Sequence, residues 1–276
     1  MYKAILLDVD GTLIDDQGTI RDKTRSILHA VHARGVHVMI STGRSEGGTR
    51  PILEDLGIPN PAVVFNGAAV FCPTTDKLIE ERVLSNRVVE RALALGARDD
   101  HMTVVSRTGE KVTLTPRDEI EGSAVRDMED MNYVATRDEY PKEYLSRITF
   151  LSRAHTDSAV LYDEVERALD LPAYLTHFPL NALPMHRTSP FQVVDVQPPC
   201  RGKGEAVRWL NEVHGFAPES IVAVGDATND IPMFEAAGLA VAMGNAMPEA
   251  KAAADRVIGS NNSDALADLI EELFGG

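Results

Sequence analysis

Short apolar runs alternate with helix-spaced patterns at both ends of the chain, and the middle breaks that rhythm. Lys3 to Leu7 reads as a buried strand, and Ile20, Thr24, Ile27/Leu28 and Val31 recur at helical spacing. Gly35 follows that helix as a C-cap signal, and Val36 to Ile40 is a second strand running into Ser41-Thr42-Gly43-Arg44. A helix through Ile52, Leu53 and Leu56 ends at Gly57, and Ala62 to Phe65 is a third strand. The βαβαβ order predicts parallel strands with right-handed crossovers. Asn66-Gly67 then marks a turn, with a hairpin expected through Val70-Phe71 and Leu78-Ile79.

From about Val83 to His186 helical patterns (Val88, Val89, Ala92, Leu93; Val160, Leu161, Val165, Leu169) enclose short strand-like pieces at His101 to Ser106, Lys111 to Thr115 and Arg147 to Leu151. That mixture predicts an α+β insertion with an antiparallel sheet. Alternation resumes near Phe191, with strand-like Gln192 to Val196, Ile221 to Val224, Leu239 to Ala242 and Val257-Ile258. Helices are expected over Gly204 to Val213, Ile231 to Ala236, Pro248 to Ala253 and Ala265 to Leu273. The expected fold is therefore α/β: a doubly wound, Rossmann-like parallel sheet core with an inserted α+β cap domain. The expected boundaries are residues 1–82 for the first core segment, 83–188 for the cap and 189–276 for the second core segment.

Composition narrows the function. A chain of 276 residues, 44% hydrophobic and 25% charged, has the makeup of a globular protein with a sizeable core. A formal net charge of −15 argues against a nucleic-acid or anionic-membrane partner, while a local group of cations can still hold a small anion. No apolar run approaches the roughly 20 residues of a membrane span. The acidic, leader-free start predicts no signal peptide, and two cysteines without a CxxC pair predict a reduced, cytoplasmic setting without structural zinc. The sequence is silent on whether the chain is a monomer or a homodimer.

Doubly wound sheets bind ligands beyond the carboxyl ends of their strands. Here those ends read DVDGT, STGR, FNGA and GDATND, which brings together Asp8, Asp10, Thr42, Arg44, Asn66, Asp226, Asn229 and Asp230. Any one of these could be a hydrated turn or cap; their convergence on one rim favours a site. Asp8 and Asp226 on neighbouring strands repel each other strongly without a cation. Mg²⁺, which takes a few carboxylates, waters and a substrate phosphate, answers that need. Thr42 offers a hydroxyl, Gly11, Thr12 and Gly43 offer backbone N–H groups, and Lys203 in RGKG offers balancing charge. The GxxxxGK[ST] phosphate loop is absent.

In order, DVDGT, the Thr of STGR, the Lys of RGKG and GDATND resemble the four motifs of the haloacid dehalogenase superfamily. With FNGA and MGNAMPEAKAAAD, the resemblance runs over nearly the whole chain and is closest to Cof-type phosphatases with a large α/β cap. It implies Asp8 as nucleophile and Asp10 as general acid and base. It implies Asp8, the Asp10 backbone carbonyl and Asp226 as Mg²⁺ ligands, with Asp230 in support. Thr42, Gly43 and Lys203 would hold phosphate, Asn229 would contact phosphate or position the metal shell, and Arg44 and Asn66 would contact substrate at the mouth. The implied activity is Mg²⁺-dependent hydrolysis of a small phosphorylated metabolite, such as a sugar phosphate, through an aspartyl-phosphate. Alternatives are a phosphomutase or phosphotransferase of the same superfamily, and a non-catalytic metabolite-binding regulator. Ser45-Glu46-Gly47-Gly48 departs from the family's firm helix start, which predicts a looser helix and an added acid near the mouth. His177, His186 and Arg187 are candidate specificity residues of the cap, each with the alternative of a solvated surface group.

Overall fold

The computed structural model describes residues 2–98, 101–126 and 128–275. The chain begins β1 (Ala4–Leu7), α1 (Asp22–Ala33), β2 (His37–Ile40), α2 (Glu46–Leu56), β3 (Ala62–Val64), β4 (Ala69–Cys72) and β5 (Lys77–Glu81). Next come α3 (Asn86–Gly96), β6 (His101–Arg107), β7 (Glu110–Leu114), α4 (Glu119–Val125), β8 (Met131–Val134), β9 (Arg147–Ser152), α5 (Ser158–Leu169), β10 (Tyr174–Pro179) and β11 (Gln192–Gln197). The chain closes with α6 (Glu205–His214), β12 (Ile221–Gly225), α7 (Ile231–Ala236), β13 (Leu239–Ala242), α8 (Pro248–Ala253), β14 (Arg256–Val257) and α9 (Ala265–Phe274). Two compact units result, Met1–Glu80 with Arg201–Gly276, and Glu81–Cys200.

The core unit is a parallel sheet ordered β14-β13-β12-β1-β2. A strand covered on both faces needs apolar side chains at every position, and the AILL of β1 meets that condition. Ile5 and Leu7 pack in a layer with Leu28 of α1, Leu53 of α2 and Leu269 of α9. Ala4 and Leu6 pack in the opposite layer with Leu210 of α6, Phe234 of α7 and Ala250 of α8. Leu7 pairs with Val224, so β1 and β12 reach their carboxyl ends together and deliver Asp8 and Asp226 to the same rim.

Three expectations are corrected. The third strand, β3, touches the main sheet through a single bridge, Ser41 to Val63. It pairs antiparallel with β4, because the chain reverses at Phe65-Asn66, both in left-handed backbone (φ 51 and 48). The hairpin of β4 and β5 forms as expected. Second, Gln192–Gln197 belongs to the insert and pairs antiparallel with β9 and β10, so the inserted unit ends at Cys200, not near residue 188. Pro198 and Pro199, which lack N–H donors, stop that ladder only after the strand is complete. Third, α2 starts firmly at Glu46: the Ser45 side chain accepts from the Gly48 N–H, and the Glu46 side chain is buried.

The inserted unit is a six-stranded sheet ordered β10-β11-β9-β6-β7-β8. Val105, Ile148, Phe150, Val194 and Val196 line one face against Val88 and Ala92 of α3 and Leu161 and Val165 of α5. No helix among the described residues is long and apolar enough to cross a membrane.

At the amino end of β2, the His37 ring lies tilted against His214 (centroids 4.5 Å apart) and edge-on to Phe216. Burial, then the neighbouring His214 and His32 imidazoles, push His37 down to about 4. The unfolded chain therefore takes up a proton on His37 near pH 6.5 that the native state refuses until about pH 4. Stability is unaffected above that window and falls as pH drops through it, by on the order of 1 kcal/mol once partial exposure is discounted. Urea unfolding across pH 7 to pH 4 should show a shallower decline in His37→Leu; identical slopes in the two proteins would refute this.

Candidate active site

Asp8 follows β1 directly, its N–H donating to the Val224 carbonyl at 3.0 Å. The Lys203 ammonium, only 1% exposed, donates to Asp8 Oδ1 and to Asp230 Oδ1, each at 2.6 Å. Asp230 Oδ2 accepts from the N–H groups of Asp226 and Ala227, both at 2.8 Å, which fixes the turn after β12. Thr12 Oγ1 donates to Asp226 Oδ1 at 3.2 Å. Gly11 has φ 75, and a Cβ there would lie 2.4 Å from Asp226 Oδ2, so only glycine lets the two turns approach this closely.

A second group meets the first from β2 and β3. Thr42 is buried, its N–H donates to the Val63 carbonyl, and its own carbonyl accepts from the Asn66 N–H. Asn229 Nδ2 donates to Asn66 Oδ1 at 3.0 Å, and a Cβ on Gly43 would touch that same Asn66 oxygen. Arg44 forks onto Asp10, with Nε 2.8 Å from Oδ2 and Nη2 2.7 Å from Oδ1, while Nη1 donates to the Gly48 carbonyl at 3.2 Å. The core residues expected at the rim are thus brought together. Among them Arg44 grips Asp10, and Asn66 is buried.

In the inserted unit, His177 is exposed and its Nδ1 lies 3.0 Å from Ser158 Oγ at the start of α5, against the Tyr162 ring. His186 ends a short helical turn and Arg187, which is exposed, follows it. The expectations missed Ser106, Thr149, Asp195 and Gln197, four buried polar residues of that unit's sheet. For Asp195 and Gln197 the available signal was their spacing of two residues in QVVDVQ, which puts both on one face of the strand.

Electrostatically, the site holds more negative charge than its lysine balances. Burial raises the Asp8 carboxyl to about 7, with Lys203 opposing and Asp230 and Asp10 adding to the rise. Burial, then Asp8 and Asp230, raise Asp226 to about 9. On Lys203, burial is outweighed by Asp230 and Asp8, which hold the ammonium protonated. Asp8, Asp226 and Asp230 each offer an oxygen within 4.8 Å of the others. Both Asp230 oxygens are already engaged, by Lys203 and by two N–H groups, so Asp8 and Asp226 are the crowded pair. An all-oxygen donor set with surplus negative charge fits a hard divalent cation.

A doubly wound core that gathers these acids and one buried lysine at its strand ends sets a class: hydrolases with an acid-and-lysine site on an α/β scaffold that a second unit interrupts. The model of haloacid dehalogenase-like hydrolases matches residues 5–270, and the chain belongs to that family. YxeH of Bacillus subtilis (strain 168) is 29% identical over 287 residues, spanning 99% of this chain and 98% of that protein. The 5-amino-6-(5-phospho-D-ribitylamino)uracil phosphatase YitU of the same organism is 26% identical, spanning 98% and 97%. Among solved structures, a haloacid dehalogenase-like hydrolase from Bacteroides thetaiotaomicron superposes with TM-score 0.79 at 25% identity, over 99% of this chain and all of that one. The HAD subclass IIB sugar phosphatase BT4131 shares the fold, with TM-score 0.81 at 22% identity over 99% of each chain.

Proposed function

We propose that this hydrolase is a Mg²⁺-dependent phosphatase of a small phosphorylated metabolite, working through an aspartyl-phosphate on Asp8. The observation that carries this reading is the buried Lys203 bridging Asp8 and Asp230 at 2.6 Å, with Asp226 as a third acid alongside. Relatives named as phosphatases, YitU among them, support it. The ion would be held by Asp8, Asp226 and the Asp10 backbone carbonyl. Once bound, Mg²⁺ supplies charge neutralisation for the crowded acids and the phosphoryl oxygens.

Asp8 attacks phosphorus in line: its carboxylate oxygen forms the new P–O bond as the ester P–O bond breaks. Asp10 gives a proton to the departing alkoxide and then takes one from the water that cleaves the acyl phosphate. Thr42 Oγ1, the Gly43 N–H, Lys203 and Asn229 hold the phosphoryl oxygens, so the protein acts mainly by positioning and charge balance. Asp230 keeps Lys203 aimed and charged. Cys72 and Cys200 form no disulfide, which supports a reduced, cytoplasmic setting.

The test is phosphate release from a panel of monoesters by chelator-treated protein with and without added Mg²⁺. Release that depends on the metal supports the proposal, and no release from any ester overturns it. Transfer of the phosphoryl group back to sugar, with little free phosphate, would point to a mutase instead.

Arg44 acts in this scheme by aiming Asp10. Arg44→Ala should lower kcat by about 10- to 100-fold, the size expected when an acid–base group loses its orientation. The loss should be smaller for esters with good leaving groups, which need less protonation. An equal loss for nitrophenyl and alkyl phosphates would argue against this role.

A further inference from the structure

The stretch MGNAMPEAK, Met243 to Lys251, carries none of the groups assigned to the chemistry at Asp8, yet it reaches both turns that follow β1 and β12. It leaves β13 beside β12: the Met243 N–H donates to the Gly225 carbonyl at 3.0 Å, and the Met247 N–H donates to the Asp226 carbonyl at 2.8 Å. Lys251 Nζ donates to the Gly244 carbonyl at 2.7 Å and closes the stretch on itself. Between these anchors, Asn245 Nδ2 donates to the Gly11 carbonyl at 2.8 Å, and Asn245 Oδ1 accepts from the Asn261 N–H at 2.9 Å. A single amide thus joins the turn after β1 to the loops after β13 and β14.

The turn after β1 needs that outside hold. Its own N–H groups converge on one acceptor: the Val9 carbonyl accepts from Thr12, Leu13 and Ile14 at 3.3, 3.0 and 3.1 Å, more donors than its two lone pairs serve fully. At its centre is Gly11, with φ 75, the residue type with the freest backbone. The torsions of Gly11 decide how Asp10 lies relative to Asp226. Among the described residues no other donor reaches the Gly11 carbonyl. Asn261, itself buried, extends the hold along the chain, with Nδ2 donating to the Ile14 carbonyl at 3.1 Å and to Asp16 Oδ1 at 3.3 Å.

We infer that Asn245 is a positioning residue for the acid–base step: by holding the Gly11 carbonyl it fixes the swivel that aims Asp10. This rests on the phosphatase reading above and adds to it a residue outside the groups assigned there. Arg44 fixes Asp10 through its carboxylate, and Asn245 fixes it through the backbone that follows. The two uses of the Asn245 amide are separable, because a carboxylate in its place still accepts from the Asn261 N–H and has no donor for the Gly11 carbonyl. Asn245 is exposed, so replacing it should barely change global stability.

The experiment compares Asn245→Ala and Asn245→Asp with wild type at saturating Mg²⁺, on nitrophenyl phosphate and on an alkyl phosphate that wild type hydrolyses. Hydrogen exchange of residues 9–14 is followed by mass spectrometry on the same proteins. For the alkyl ester kcat should fall about tenfold in both variants with KM little changed; for nitrophenyl phosphate, whose leaving group needs little protonation, it should fall only about twofold. Exchange at residues 9–14 should be about threefold faster or more in both variants, with melting as in wild type. Wild-type kcat in Asn245→Asp, an equal loss on the two esters, or a rise in KM alone would each overturn the inference while leaving the phosphatase reading intact, the last being the mark of direct substrate contact. If wild type hydrolyses no ester, the phosphatase reading fails on its own. Exchange then decides the role of Asn245: faster exchange in both variants supports its hold on the Asp10 turn, and unchanged exchange overturns it.

Discussion

Asp8→Asn is expected to lower kcat by about 10⁴-fold or more on every phosphate ester that wild type hydrolyses. An amide cannot form the acyl phosphate, and no other carboxylate of the site is both close to phosphorus and free to replace it. Asp230 is bound on both oxygens, Asp10 is gripped by Arg44, and Asp226 would be taken up by the metal ion. The fold should survive, because the substitution removes one negative charge from a pair that burial and mutual repulsion already hold above the ordinary carboxylate range. Loss of kcat in a protein with wild-type melting is the expected pattern. Loss of activity together with unfolding would give Asp8 a structural role instead.

Lys203→Met should damage both fold and activity. Its ammonium is the buried cation that pairs with Asp8 and Asp230, and methionine would leave those acids and Asp226 crowded without it. Removing one partner of a buried ion pair typically costs about 3–5 kcal/mol. Urea unfolding should therefore show a destabilisation of that order, and added Mg²⁺ should recover part of it by taking over the charge balance. A variant as stable as wild type without metal would contradict the electrostatic account of the cluster.

Much of the core was legible in sequence, for a physical reason. A strand covered on both faces must be apolar throughout, so AILL and IVAV announced themselves, and the residues that follow such strands fall on the ligand-binding rim of a parallel sheet. Asp8, Asp10, Thr42, Asp226 and Asp230 could thus be placed from strand ends alone. What escaped depends on register between distant segments. The fork of Arg44 on Asp10 needs β1 and β2 to end side by side, which neighbours in sequence do not reveal; the same is true of Asp195 meeting Thr149 across 46 residues. The pattern of Gln192–Gln197 suits an antiparallel strand as well as a parallel one, and only its ladder to β9 places it in the inserted unit. The firm start of α2 escaped because Ser45 offsets the two glycines through a single capping bond.

The most direct measurement is phosphate release by wild type and Asp8→Asn, side by side, over a panel of monoesters with Mg²⁺ present. The account predicts turnover of at least one ester by wild type and none above background by the variant. Phosphate release that persists undiminished in Asp8→Asn would contradict it.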